Sequence, residues 1–166
     1  MNNVKKTTLS YDESEDRLRL AIEDDAGQAS ALWLTQRLAG RLVQALVRWL
    51  GSEADHRVGT TRDAVQSWEQ DAALALHRGS EPVQINGEVR RGLLTSIDLA
   101  RHAGDVHSVI FHWADDQAAC LNLTMVELRQ WLGIMHGLYV KAEWPRQVWP
   151  SWFELPIVER SALALH

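Results

Sequence analysis

The chain holds a single cysteine in 166 residues, so it can form no internal disulfide and no cysteine-based zinc site. Proline is scarce too, with four residues, and three of them fall after position 144. Tyrosine and phenylalanine number two each. No run of about 18 apolar residues is present, and the first ten residues are polar with two lysines. The expectation is a soluble, cytoplasmic chain with neither a membrane span nor a secretory signal. No glycine-rich phosphate loop, serine-nucleophile motif or dinucleotide fingerprint occurs. Acidic residues outnumber basic ones, 22 to 17, which leaves a formal charge of −5 and disfavours a polyanionic partner without excluding a local basic patch.

Against these shortages stands tryptophan, with eight residues. The length suits one domain with a real core. Strict alternation at Leu18, Leu20 and Ile22, with Arg17, Arg19 and Glu23 between them, predicts a half-buried strand. Residues 4–11 form its expected partner across the acidic turn 12–16, and a third strand follows at 30–34. The period then changes. Thr35 is a suitable N-cap, and Leu38, Leu42, Val43, Leu46 and Leu50 recur at helical spacing over 36–50, with Gly51 placed to end the helix. A polar loop is expected over 52–59. A second helix is expected over 61–77, with Val65, Trp68, Ala72 and Leu76 on one side.

The remainder repeats this grammar. Strands are expected over 83–89 (around Asn86-Gly87), 93–100, 106–114 and 118–123, with turns at Ala103-Gly104-Asp105 and Asp115-Asp116. Thr124 caps a helix over 125–141, phased by Leu128, Trp131, Leu132, Met135 and Leu138. The predicted fold is therefore α+β: antiparallel strands packed with about three helices. It contains a pseudo-twofold duplication of a strand-strand-strand-helix unit, with repeats at about 4–51 and 92–142 joined by the middle helix. Residues 1–142 form the domain, and 143–166 a Trp/Pro-rich tail that is extended because its prolines bar a long helix.

Several residues invite chemistry. His102, His107 and His112 recur at five-residue intervals, but residues five apart on a strand face opposite ways, so surface or edge histidines are expected rather than a metal site. Cys120 with His112 or His136 suggests a nucleophile and base, yet Cys120 sits mid-strand and reads as a small buried hydrophobe. The Asp24-Asp25 and Asp115-Asp116 pairs read as turn residues. No catalytic residue, cofactor or metal is expected. Arg37, Arg41 and Arg48 share a helix face, as a solvated stripe or as contacts to a polyanion. Trp144, Trp149, Trp152 and Phe153 are the expected interface anchors, because tryptophan dominates binding hot spots.

No motif identifies a family. In element order alone the chain is similar to the head domains of the coiled-coil scaffold proteins of end-joining repair and centriole assembly. The doubled strands-then-helix unit resembles the Pur-alpha and Whirly single-strand binders. Neither likeness carries over a residue, since both rest on topology. The function expected is a non-enzymatic protein-interaction domain, a scaffold or adaptor, that self-associates as a homodimer through apolar helix faces and the tail. The alternative is a single-stranded nucleic-acid binder using a sheet face and the arginines.

Overall fold

The computed structural model describes residues 1–53, 60–114 and 116–154. Most of the expected loop 52–59, Asp115 of the second aspartate pair, and tail residues 155–166 lie outside the described residues.

Seven strands form one sheet. They are β1 (Asn2–Asp12), β2 (Arg17–Asp24), β3 (Ala29–Leu34), β4 (Arg90–Leu93), β5 (Ser96–Arg101), β6 (His107–Trp113) and β7 (Gln117–Leu123). The helices are α1 (Gln36–Glu53), α2 (Thr60–Leu76) and α3 (Met125–Lys141), with a 3-10 turn at Ser151–Phe153. An α+β architecture is what the periodicities predicted. The sheet, however, is mixed. Its order is β4-β3-β2-β1-β7-β6-β5. Both three-strand meanders are antiparallel, while β1 pairs parallel to β7 and β3 pairs parallel to β4. A meander can be read from turn chemistry, but the seams between meanders are long-range pairings that turns do not encode.

The two edge strands, β4 and β5, are separated in the chain only by Leu94 and Thr95. The sheet must therefore curl until its edges meet. Leu94 N–H donates to the Trp33 carbonyl of β3 and Thr95 N–H to the His112 carbonyl of β6, each at 2.9 Å. Gly92 allows the approach: a Cβ there would lie 2.7 Å from Trp113 Cδ1. β1 is divided in the same way. Asn2 and Asn3 pair with β7, and from Val4 onward, with a register shift between Val4 and Lys6, the strand pairs with β2.

The alternating residues fill one face. Leu18, Leu20 and Ile22 of β2, Leu32 and Leu34 of β3, and Val109 and Phe111 of β6 are buried with Leu42, Val43, Leu46 and Leu50 of α1 and Leu128, Trp131, Leu132 and Met135 of α3. Burying a side chain of this kind contributes about 1.5–3 kcal/mol. α3 begins on a complete capping box. Thr124 Oγ1 accepts from Glu127 N–H, and Glu127 Oε2 accepts from Thr124 N–H at 2.8 Å. Two expectations are corrected. α1 runs on through Gly51 to Glu53. Residues 83–89 form no strand; Val83 N–H instead donates to Thr8 Oγ1 at 2.8 Å.

Candidate interaction surface and arginine clefts

The tail rings turn inward. Trp144, Trp149, Trp152 and Phe153 are 5–7% exposed and belong to the chain's own core. Trp144 Nε1 donates to Asp16 Oδ1 at 2.8 Å, the same oxygen that accepts the Tyr11 hydroxyl at 2.8 Å. These two bonds, that from Trp144 foremost, hold the Asp16 carboxyl below its ordinary pKa. Trp149 stands edge-on to Tyr139 with ring centroids 5.4 Å apart, and packs on Phe153 at 4.8 Å. His136 lies between these rings, 5.0 Å from Trp149 and 5.3 Å from Phe153, and its Nε2 meets Glu154 Oε1 at 2.8 Å. Arg146 holds the other oxygen of Glu154 at 3.3 Å. The tail is thus a strap latched at Asp16 and at Glu154, and its rings reach no second molecule unless they leave this core.

Among the remaining tryptophans, Trp113 and Trp131 are buried and Trp33 and Trp49 half-buried, as their positions in core elements imply. Trp68 departs from that pattern. It is 62% exposed, and Leu76, two turns further along α2, is 67% exposed. The other face of α2 explains this. Gln66, Ser67 and Gln70 are buried there with Ala64 and Ala73. They face Arg129 of α3, which is itself buried. Arg129 donates to Gln66 Oε1 at 2.8 Å and pairs with Glu69, while Gln70 Nε2 donates to the Arg129 carbonyl at 2.7 Å. Burial draws the guanidinium pKa down and Glu69 offsets part of that shift. Gln66 also reaches the Leu50 carbonyl at the end of α1, at 3.2 Å. α2 therefore docks through amide and guanidinium bonds and turns its apolar stripe outward. Val65, Trp68, Ala72, Ala75 and Leu76 lie at i, i+3, i+7, i+10 and i+11, one helical face.

Arg37, Arg41 and Arg48 are all exposed on α1, and among the described residues none is ion-paired. The structure does not gather them into one patch. Arg37 and Arg41 line a cleft of about 360 Å³ with Tyr139 and the strap residues Pro145 and Val148. Arg48 lines a second cleft, of about 440 Å³, with Arg62, Asp63 and Trp152.

The three regularly spaced histidines separate. His107 is buried against Trp49, with ring centroids 5.4 Å apart, contrary to the expected surface position. His112 meets Asp98 Oδ2 at 2.8 Å. His102 Nε2 lies 2.7 Å from Ser108 Oγ. Ser108 spends its own proton on Asn122 Oδ1, which also accepts from the buried Cys120 thiol at 3.5 Å. His102 is consequently the donor to Ser108, the reverse of a base activating a nucleophile. Among the described residues no group of three or more His, Cys, Asp or Glu side chains is placed to hold a metal ion, and no helix is long and apolar enough to cross a membrane. Comparison of the chain with family models, curated proteins and solved structures finds no match.

Proposed function

We propose that the protein is a non-enzymatic interaction domain that self-associates as a homodimer through the outward face of α2. The observation that carries this reading is the inverted polarity of that helix: two glutamines and a serine inside, toward Arg129 of α3, and tryptophan and leucine outside. A solvated helix ordinarily does the opposite, and exposed contiguous apolar surface marks contact sites. The stripe is also self-complementary. With a second copy antiparallel about Gln70, Trp68 of each chain lies over Ala72 of the other, and Val65 lies over Ala75. Large residues then meet small ones, as a two-fold, isologous contact requires.

The size of the contact sets its strength. A buried tryptophan removes about 150–250 Å² from water. Two such rings and two leucines fall within the class of interfaces below about 1,200 Å², which associate weakly and reversibly. A micromolar dissociation constant would correspond to about 8 kcal/mol. The expectation that the tail rings anchor the dimer gives way to a supporting role: the strap completes the core on which α1 and α3 present α2. The same reading takes the two meander-plus-helix halves as a duplication. Two features support that reading: each half is an antiparallel meander followed by a helix, and both seams, β1 with β7 and β3 with β4, are parallel.

The experiment is light scattering on the full chain and on Ala72→Arg, with far-ultraviolet circular dichroism as the control on folding. The unaltered chain is expected to approach twice 18.8 kDa at high concentration, and Ala72→Arg to remain at 18.8 kDa with an unchanged spectrum. An unaltered chain that stays at 18.8 kDa, or a folded Ala72→Arg that still pairs, overturns the proposal.

A further inference from the structure

The cleft between the first half of α1 and the strap combines three features that the interaction reading does not use. First, Arg37 and Arg41 stand one turn apart on the same helix face, both exposed, without an ion-pair partner among the described residues. Second, none of the nine residues lining the cleft is acidic, and Gln36 and Gln44 flank the arginines with neutral amides. Third, Tyr139 lines the cleft while being only 1% exposed, and its hydroxyl has no hydrogen-bond partner. That hydroxyl rests against Gly40, where an added Cβ would lie 3.7 Å from it. Gly40 lines the same cleft, so no side chain of that residue stands beside the hydroxyl. A buried, unsatisfied hydroxyl costs free energy, and a ligand oxygen that accepts from it recovers that cost.

We propose that this cleft binds a phosphate monoester on a small molecule, with Arg37 and Arg41 holding the phosphoryl group and Tyr139 donating to it from the floor. The charge count selects the ligand. Two guanidiniums with no opposing carboxylate match a group that carries about −1.5 to −2 near neutral pH. Burial pushes the Tyr139 pKa up to about 12, so the phenol keeps its proton and serves as a donor. The cleft, at about 360 Å³, exceeds what a bare phosphate fills and lies in the range of small-molecule sites. The second cleft lacks these properties, since the acidic Asp63 lines it with Arg48 and Arg62, and Arg62 is engaged with the Gly51 carbonyl at 2.7 Å. The arginines of α1 are therefore divided between two sites rather than aligned as a track for a nucleic-acid backbone.

The test is calorimetric titration of the full chain with inorganic phosphate, phenyl phosphate and a short thymidine oligonucleotide. Saturable one-to-one binding of phenyl phosphate is expected. Each lost charge-assisted bond weakens binding by about tenfold, so Arg37→Gln combined with Arg41→Gln weakens it by about a hundredfold. Tyr139→Phe, which keeps the ring in the core, weakens binding about tenfold while the free protein melts no lower than before. Arg48→Gln and Ala72→Arg leave the affinity unchanged, which separates this site from both the second cleft and the dimer contact. The proposal is overturned if neither phosphate nor phenyl phosphate binds, or if Tyr139→Phe binds as well as the unaltered chain. It is likewise overturned if Arg48→Gln weakens oligonucleotide and phenyl phosphate alike, because a diffuse basic strip then replaces the site.

Discussion

At the scale of single residues, identity acts through what stands opposite. Gly92 and Gly133 illustrate this. A Cβ on Gly92 would meet the ring of Trp113, which is buried and cannot yield. A Cβ on Gly133 would meet the end of Leu74, a flexible chain that is 41% exposed. Gly92→Ala is expected to lower stability by about 1–3 kcal/mol through overpacking, and Gly133→Ala by far less, as measured by urea unfolding. Equal losses would show that the Gly92–Trp113 approach does not close the sheet. Asp16 offers a second case. Its backbone is left-handed, with φ of 48°, and its carboxylate accepts from Trp144 and Tyr11. Its folded pKa lies below the ordinary aspartate value of 3.8, so its stabilising contribution is fully present above pH 3.8 and is lost as pH falls through the lower folded value. Asp16→Asn tolerates the same backbone and retains an acceptor, but it removes this titration. The acid end of the stability profile of Asp16→Asn should flatten relative to the unaltered chain, and an identical profile would show that the latch carries no pH dependence.

At the scale of elements, α3 and α2 differ in what fixes them. The N-terminus of α3 is closed by the Thr124–Glu127 capping box. Thr124→Ala should cost about 1 kcal/mol of unfolding free energy, and a loss below a few tenths would mean that packing alone holds that end. Both α1 and α3 are legible in the sequence because their leucines and their N-caps agree, although Gly51 does not end α1. The two antiparallel meanders are legible for the same reason, through alternation and turn residues. α2 is legible as a helix but not in its orientation. Val65, Trp68, Ala72 and Leu76 read as a buried face, and they would be one if burial were decided by hydropathy alone. The face is instead set by Arg129, sixty-odd residues away, which requires the amides of Gln66 and Gln70 and so rotates the apolar stripe outward. The 83–89 segment fails for a related reason. Its alternation is genuine, but the sheet places β4 after it, and Val83 bonds a threonine side chain rather than a strand backbone.

At the scale of the whole molecule, the scarcity of proline acquires a meaning. Pro145 and Pro150 bar a further long helix over residues 143–154, and that segment of turns lays its rings against α3 rather than competing with it. The eight tryptophans thus divide into three on a strap that finishes the core, four in the sheet and helices, and one ring, Trp68, that the core leaves outside. The tail rings were legible as needing a cover, though not which surface supplies it. The arginines of α1 were legible as one face, but the strap, which no local pattern positions, splits them between two clefts. These parts converge on α2 as the surface that the fold constructs but does not itself cover. Sedimentation equilibrium of the full chain across rising concentration tests that claim most directly. The account predicts a mass that climbs reversibly from 18.8 kDa toward twice that value, and a mass fixed at 18.8 kDa throughout would contradict it.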